Sequence, residues 1–422
     1  MEKINSLTGM LDLISSKYNK DNLANKIFST EKALKEIFEN FSLCEIRNPA
    51  LENTNLFKRS VGDNSDIVNK ELYSFLDKSD KSISLRPEGT AGVIRSIIEK
   101  KLEGDPQKLW YLGPMWRYER PQKGRFRQFN QGGVEILGFK EGIAEFEIIS
   151  LICEINRKLE IKKPRVKINH LGNNETKNKF CEALKNFLEP LKSKLDKNDL
   201  NRLQNNPLRI LDSKNENTQE ILAKAPSIRD YLSDSSVNLL INIQETFSDQ
   251  CEIVIDHGLV RGLDYYSGFV FEAISEELGA QDAYIGGGRY DNLCSQLGGK
   301  NLPAIGMAIG IERLALISNQ KSFYKTLISF LLVSSNFEPK AYKIAHDIRL
   351  LNNNVEIDVH LSNNSLKSKL RRAAKDKASY AVIIGDDEVK SSSVILKPLN
   401  IDDSEQTTMN IDELKTFIKN LT

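Results

Sequence analysis

The chain has 422 residues, 40% of them hydrophobic and 28% charged, enough for two or three ordinary domains with real cores. Its 59 basic and 58 acidic side chains leave a formal charge of +1, so any affinity for nucleic acid must come from local patches. No apolar run approaches the roughly 20 residues of a membrane helix, and the opening MEKINSLTGMLDLISSKYNK lacks the apolar stretch of a signal peptide, so a cytoplasmic protein is expected.

Along the chain, Ile27, Leu34, Ile37, Phe38 and Phe41 recur at helical spacing and predict an amphipathic helix over 23–41. Glu45-Ile46-Arg47-Asn48-Pro49 leads into a polar stretch and then the block Leu85-Arg86-Pro87-Glu88-Gly89-Thr90, after which Ala91, Ile94, Ile97 and Ile98 predict a second helix. The aromatic segment KLWYLGPMWRY (108–118) and residues 134–139 read as strands joined by a basic loop. Together these elements suggest an antiparallel sheet with helices on one face. From 172 to 236 the texture turns Asn- and Lys-rich, with Phe180, Leu184, Phe187, Leu188 and Leu191 at helical spacing, which predicts a small helical insertion. Strands are expected again at 252–255 and 269–274, a tight turn at Gly286-Gly287-Gly288 (or else a backbone that a ligand can approach closely), and a helix from Gly310. The last hundred residues read as strand 328–334, helix 339–351, strand 355–359, helix 365–377 and strand 380–384, the pattern of βαβ units. The expected fold is therefore an α+β core with an antiparallel sheet and flanking helices (1–171 and 237–320), a helical insertion (172–236) and a C-terminal α/β domain (324–422), joined near 319–323.

Five cysteines (Cys44, Cys153, Cys181, Cys251, Cys294) and four histidines (His170, His257, His346, His360) lie scattered, with no CxxC pair. That spacing suggests neither a zinc site nor a disulfide framework, and no metal site is expected. The densest signal is the loop from Arg117 to Gln131, where Arg117, Arg120, Lys123, Arg125 and Arg127 surround a Pro-Gln-Lys-Gly turn. Planar guanidinium groups bind phosphates bidentately, so such a hairpin suits a polyphosphate; a solvated basic loop is the plain alternative. Beyond it, strand periodicity puts Gln131, Gly133 and Glu135 on one face, a small polar pocket with room above the glycine, or else a solvent-facing strand. Leu259-Val260-Arg261-Gly262-Leu263-Asp264-Tyr265-Tyr266 combines an arginine with two tyrosine hydroxyls, fit for an anion and a polar ring. Arg313 falls in a helix's first turn, where a cation needs an anionic partner, whether Glu312 or a ligand. Helix 365–377 carries Lys367, Lys369, Arg371, Arg372, Lys375 and Lys377 against Asp376 alone, a patch for phosphates or a solvated face.

Taken in order, these blocks resemble the class II aminoacyl-tRNA synthetase core, and specifically the histidyl-tRNA synthetases, over nearly the whole chain. Pro49 with its preceding helix resembles motif 1, Arg117 to Glu135 motif 2, and Gly306 to Leu314 motif 3. Phe57-Lys58-Arg59 and Arg86-Pro87-Glu88-Gly89-Thr90 stand where the family has them. Leu259 to Tyr266 and Gly287-Gly288-Arg289-Tyr290-Asp291 resemble the two histidine-specific signatures, and the βαβ domain the anticodon-binding domain. The resemblance implies a ligase of protein biosynthesis, with L-histidine, tRNA(His) and ATP as substrates, ATP arriving with Mg2+, no prosthetic group, and a homodimer. It implies that Glu88, Thr90 and Gln131 hold the α-amino group, while Glu135, Tyr266 and Tyr290 form the imidazole pocket. Arg117 and Arg261 would be catalytic. Arg117, Arg125 and Arg313 would bind ATP, Arg120 and Gln122 would lie near the tRNA acceptor end, and Lys367, Lys369, Arg371 and Arg372 would form the anticodon-domain patch. Thr8-Gly9-Met10 departs from the family's usual arginine before the glycine, and Asn130 from a common histidine. The rival readings are a non-catalytic regulatory paralogue of ATP phosphoribosyltransferase, a synthetase for another amino acid, and a tRNA-binding protein without catalysis.

Overall fold

Helix Leu23–Asn40 turns Ile27, Leu34, Ile37 and Phe38 inward, and all four are fully buried, each contributing on the order of 1.5–3 kcal/mol. The structure, a computed structural model, describes residues 3–15, 22–62, 65, 67–122, 124–263, 265–279, 282–320, 325–333, 338–360, 364–399 and 405–421. The chain divides into two units, 1–13 with 26–320 and 14–25 with 321–422. No described helix is long and apolar enough to cross a membrane.

In the larger unit the strands are, in order, β1 (Cys44–Glu45), β2 (Leu51–Asn53), β3 (Ser74–Leu76), β4 (Ser82–Leu85), β5 (Gln107–Trp116) and β6 (Gln128–Leu137). They continue with β7 (Arg165–His170), β8 (Glu252–Ile255), β9 (Phe269–Ile274), β10 (Ala283–Arg289) and β11 (Ala304–Gly310). Eight of them build one sheet in the order β1-β5-β6-β11-β10-β9-β7-β8. The run from β5 to β7 is antiparallel throughout, with parallel pairs at both edges. This is the expected α+β core.

The stretch before Leu85 is more than polar connection: it holds helix Thr54–Val61 and an antiparallel sheet of β2, β4 and β3. Only β4, Ser82-Ile83-Ser84-Leu85, alternates, and it is too short to stand out; hydroxyls tie the sheet together, with Thr54 bonded to Ser82 and Ser84 and Ser74 to Ser84 at 2.7–2.8 Å. Strand β6 likewise starts at Gln128, ahead of the expected 134, because its Gln and Gly residues are paired on both sides by β5 and β11.

Between β7 and β8 the Asn-rich texture has a local cause. Asn173, Asp196, Asn215 and Ser233 each accept from a backbone N–H and cap the helices Asn174–Leu188, Lys197–Asn205, Glu216–Leu222 and Asp234–Thr246. Phe180, Leu184, Leu188 and Leu203 of the first two helices, with Ile210 and Ile228 from the turns Pro207–Asp212 and Ile228–Tyr231, join one cluster with Leu259, Val260, Tyr265, Tyr266 and Tyr290. The inserted helices therefore share a core with the segment that carries Arg261.

The second unit contains β12 (Thr326–Leu332), β13 (Val355–Val359), β14 (Tyr380–Ile384), β15 (Ser393–Pro398) and β16 (Thr407–Asn410), in the order β13-β12-β14-β15-β16. The first three are parallel, as the βαβ pattern predicts, and β15 and β16 add an antiparallel hairpin not foreseen, whose last strand is largely exposed and polar. Ser334, the predicted end of the first strand, and 321–323 of the predicted joint lie outside the described residues.

Candidate active site

The floor of the site is the middle of the large sheet. Register places Gln131 between Gly113 and Gly310, and Glu135 beside Gly306. Gly286-Gly287-Gly288 is no turn: all three lie buried within β10. Their lack of side chains serves close approach. A Cβ on Gly286 would run into the Arg261 guanidinium, and one on Gly287 into the carbonyl oxygen of Gly306. The room expected above Gly133 is also taken, since the ring of Tyr111, its partner on β5, lies where a Cβ would stand.

Above this floor opens a cleft of about 400 Å³, lined by Arg117, Arg125, Arg209, Arg261 and Arg313 with Glu88, Thr90, Gln131, Tyr265 and Tyr266. Arg117 follows β5; its Nε donates to Pro87 O at 2.9 Å and its guanidinium lies 5.3 Å from the Phe129 ring centre. Glu119 is ion-paired with Arg125 and lies 3.8 Å from Arg117. Arg313, on helix Ile311–Ile317, donates to Ala283 O at 2.7 Å and Gly124 O at 3.4 Å. Glu312 does not answer it, for its carboxylate accepts from Asn130 N at 2.7 Å and Asn130 Nδ2 at 3.0 Å. Burial first, then the charges of Arg125 and Arg117, hold the Arg313 guanidinium below the usual arginine range. Arg261 is paired with Glu272. Such a crowd of cations in a sheltered cleft favours a polyanion.

At the inner end lies a polar network. Glu88 accepts from Thr90 N at 2.7 Å and Ala91 N at 2.9 Å, capping helix Thr90–Glu99 where Gly89 has no side chain to do so. Thr90 Oγ1 donates to Glu135 at 2.8 Å, and the Tyr290 hydroxyl donates to the other Glu135 oxygen. Burial pushes the Glu135 carboxyl up to about 8, against the pull of the bonds from Tyr290 and Thr90. Gln131 is 6% exposed and its Oε1 has no hydrogen-bond partner among the described residues, an acceptor left for a ligand. Tyr265 stacks within 4.6 Å of Tyr266 and 5.7 Å of Tyr290 between ring centres.

The structure thus brings Glu88, Thr90, Arg117, Arg125, Gln131, Arg261, Tyr266 and Arg313 to one cleft. Glu135 and Tyr290 do not line it but lie buried and reach it through Thr90. Arg120 and Gln122 are exposed on the loop after β5, while Lys123 and Asp264 lie outside the described residues. Arg127 has a packing role: its guanidinium covers the Tyr118 ring at 3.9 Å and its N–H donates to Gly9 O at 2.8 Å. The segment around Thr8-Gly9-Met10 thereby rests on the basic hairpin. In the second unit Lys367, Arg371 and Arg372 are exposed on helix Leu366–Lys375. Lys369 is not part of that surface: it is 6% exposed and its Nζ donates to Leu332 O at 2.8 Å. Arg209, in the turn Pro207–Asp212, was missed, for no local motif marks it and only the packing of the inserted helices carries it to the cleft. Arg289, in the glycine-rich block, is structural. It is 2% exposed and donates to Glu145 at 2.7 Å and Asp291 at 3.0 Å.

A family model described as histidyl-tRNA synthetase matches residues 20–314, and one described as an anticodon binding domain matches residues 328–421. The chain is 41% identical over 408 residues to the histidine–tRNA ligase of Francisella philomiragia, covering 93% of this chain and 94% of that protein. It is 39% identical over 427 residues to the histidine–tRNA ligase of Prochlorococcus marinus strain NATL1A, covering 100% of both. The solved structure of apo S. aureus histidyl-tRNA synthetase aligns with a TM-score of 0.78 at 29% identity, over 100% of both chains. This chain belongs to the histidyl-tRNA synthetase family.

Proposed function

We propose that the chain activates L-histidine with ATP to histidyl-adenylate and transfers the histidyl group to tRNA(His). The observation that carries this reading is the convergence of Arg117, Arg125, Arg261 and Arg313 on one cleft whose inner end holds Glu88, Thr90 and Gln131. Activation joins two anions: a carboxylate oxygen bonds to the α-phosphorus while the bond to pyrophosphate breaks. Catalysis is then mainly positioning and fixed positive charge. Arg117 and Arg261 are assigned to the carboxylate and α-phosphate, and Arg125 and Arg313 to the outer phosphates and adenine. Gln131 Oε1 and Glu88 suit the α-ammonium group, a donor of three hydrogen bonds. Glu135, Tyr266 and Tyr290 are assigned to the imidazole, Tyr266 at the cleft and Glu135 and Tyr290 behind it through Thr90, a polar pocket able to reject an amino acid lacking that ring by roughly 10⁴ or more.

Glu119 and Glu272 in the cleft each face an arginine, and among the described residues no cluster of three metal ligands lies there. Magnesium is assigned to the phosphates of ATP, as part of the substrate complex. Arg120 and Gln122 are assigned to the acceptor end of the tRNA, and Lys367, Arg371 and Arg372 to backbone phosphates near the anticodon. A cytoplasmic homodimer completes the proposal, with the core at 1–171 and 237–320, the insertion at 172–236 and the anticodon-binding domain at 324–422. The regulatory-paralogue reading is disfavoured by the intact set of arginines and by the matched anticodon binding domain. The test is ATP–pyrophosphate exchange with each of the twenty amino acids. Histidine alone should drive it, and exchange stimulated by none of them, in folded protein, would overturn the reading.

A further inference from the structure

The C-terminal unit holds a cluster that the proposed reaction leaves unused. Asp358 on β13, His360 just past its end and Asp376 at the end of helix Leu366–Lys375 each present a ligand atom, all within 4.8 Å of one another. His360 is 6% exposed and neither ring nitrogen has a hydrogen-bond partner among the described residues, while Asp376 is 5% exposed and its Oδ1 is likewise unpartnered among them. The nearest approach of His360 Nε2 to Asp358 is 3.8 Å, too long for a hydrogen bond. Buried polar groups are nearly always satisfied, and several orphans facing one another ask for a common partner.

We propose that Asp358, His360 and Asp376 bind a divalent transition-metal cation of the zinc class, with water in the remaining position. An imidazole nitrogen beside two carboxylates favours such an ion over magnesium or calcium, which take oxygen ligands alone. The two carboxylates balance its charge. Two cations stand close by: Lys369 Nζ donates to Leu332 O at 2.8 Å, and Arg372 Nε pairs with Asp376 Oδ2 at 3.7 Å, which leaves Asp376 Oδ1 for the metal. The spread of 4.8 Å must contract to about 3.3 Å, the edge of a tetrahedron with bonds of roughly 2.0–2.1 Å. Asp358, the least buried of the three at 34% side-chain exposure, has the freedom to close it.

The test uses the full-length protein, stripped with a chelator and titrated with zinc(II) by equilibrium dialysis and with cobalt(II) by visible absorption. One ion per chain is expected, with at least a tenfold loss of affinity in His360→Ala and with histidine-dependent pyrophosphate exchange unchanged as the control for folding. Should that variant not fold, Asp358→Asn, at a partly exposed position, provides the same comparison. Wild-type affinity in the folded variant, or no ion bound by the wild type at about millimolar zinc, would overturn the proposal.

Discussion

Tyr290 donates its hydroxyl hydrogen to Glu135, a residue 155 positions earlier in the chain, and Thr90 holds the other oxygen of the same carboxylate. The three residues come from β6, the start of helix Thr90–Glu99 and the residue just past β10. Burial pushes the Glu135 carboxyl up to about 8 from an ordinary 4.5. The folded protein then keeps a proton that the unfolded chain has released. This contribution to stability is complete below pH 4.5 and is lost as pH rises through about 8. Unfolding free energy of the wild type should therefore fall with pH across that window relative to Glu135→Gln, by up to about 1.4 kcal/mol per pH unit. Denaturant unfolding of both proteins at several pH values measures it, and parallel curves would remove Glu135 as the cause.

Gly306→Ala should cripple the histidine site without unfolding the sheet. The new methyl group overlaps the Glu135 carboxylate and meets Val134 O at 2.8 Å. A loss of about ten- to hundredfold in kcat/KM for histidine is expected, roughly 1.4–2.7 kcal/mol, with circular dichroism unchanged. A variant with normal histidine kinetics would show that Glu135 has no part in recognition.

Arg261→Ala should abolish exchange yet leave histidine binding largely intact. Arg261 lines the cleft, is paired with Glu272 and lies 5.9 Å from the Tyr266 ring centre. Its loss should cost about 10²–10³ in kcat, the scale for one fixed donor at a developing charge. Calorimetric titration with histidine separates binding from chemistry, and wild-type exchange would refute the role.

Glu145→Ala tests the scaffold instead of the site. Glu145 is fully buried and holds Arg289, itself 2% exposed, at 2.7 Å, while also accepting from Gly142 N at 2.7 Å. Removing it takes away the fully buried partner of Arg289 and leaves only the part-exposed Asp291 within hydrogen-bond reach as a carboxylate, a loss of up to about 3–5 kcal/mol. Thermal unfolding should show a clear drop in Tm, and a drop no larger than that of an exposed glutamate variant would contradict this account.

What was legible in the sequence was what lies close together along it. Arg117, Arg125 and Gln131 occupy one strand–loop–strand unit, so their convergence needed only a hairpin. Arg209 reaches the same cleft through the packing of the inserted helices on Leu259 and Tyr265, which no local pattern encodes. Lys369 was misread because a run of cations on a helix reads as wholly solvated, whereas one of them turns inward to Leu332 O. The glycine triplet was misread for a related reason: absent side chains signal a bend in the chain or a close neighbour, and only the pairing of β10 with β11 decides between them.

At Gly286 of β10 and Gly310 of β11 the wall of the cleft is main chain without side chains. Peptide groups locked into a sheet have no rotamers to freeze, so a ligand settling on them incurs little of the ordering entropy that side-chain contacts demand. Selectivity on that side is therefore preorganised and largely insensitive to the flexibility of the loops above, and improved affinity has to come from the walls.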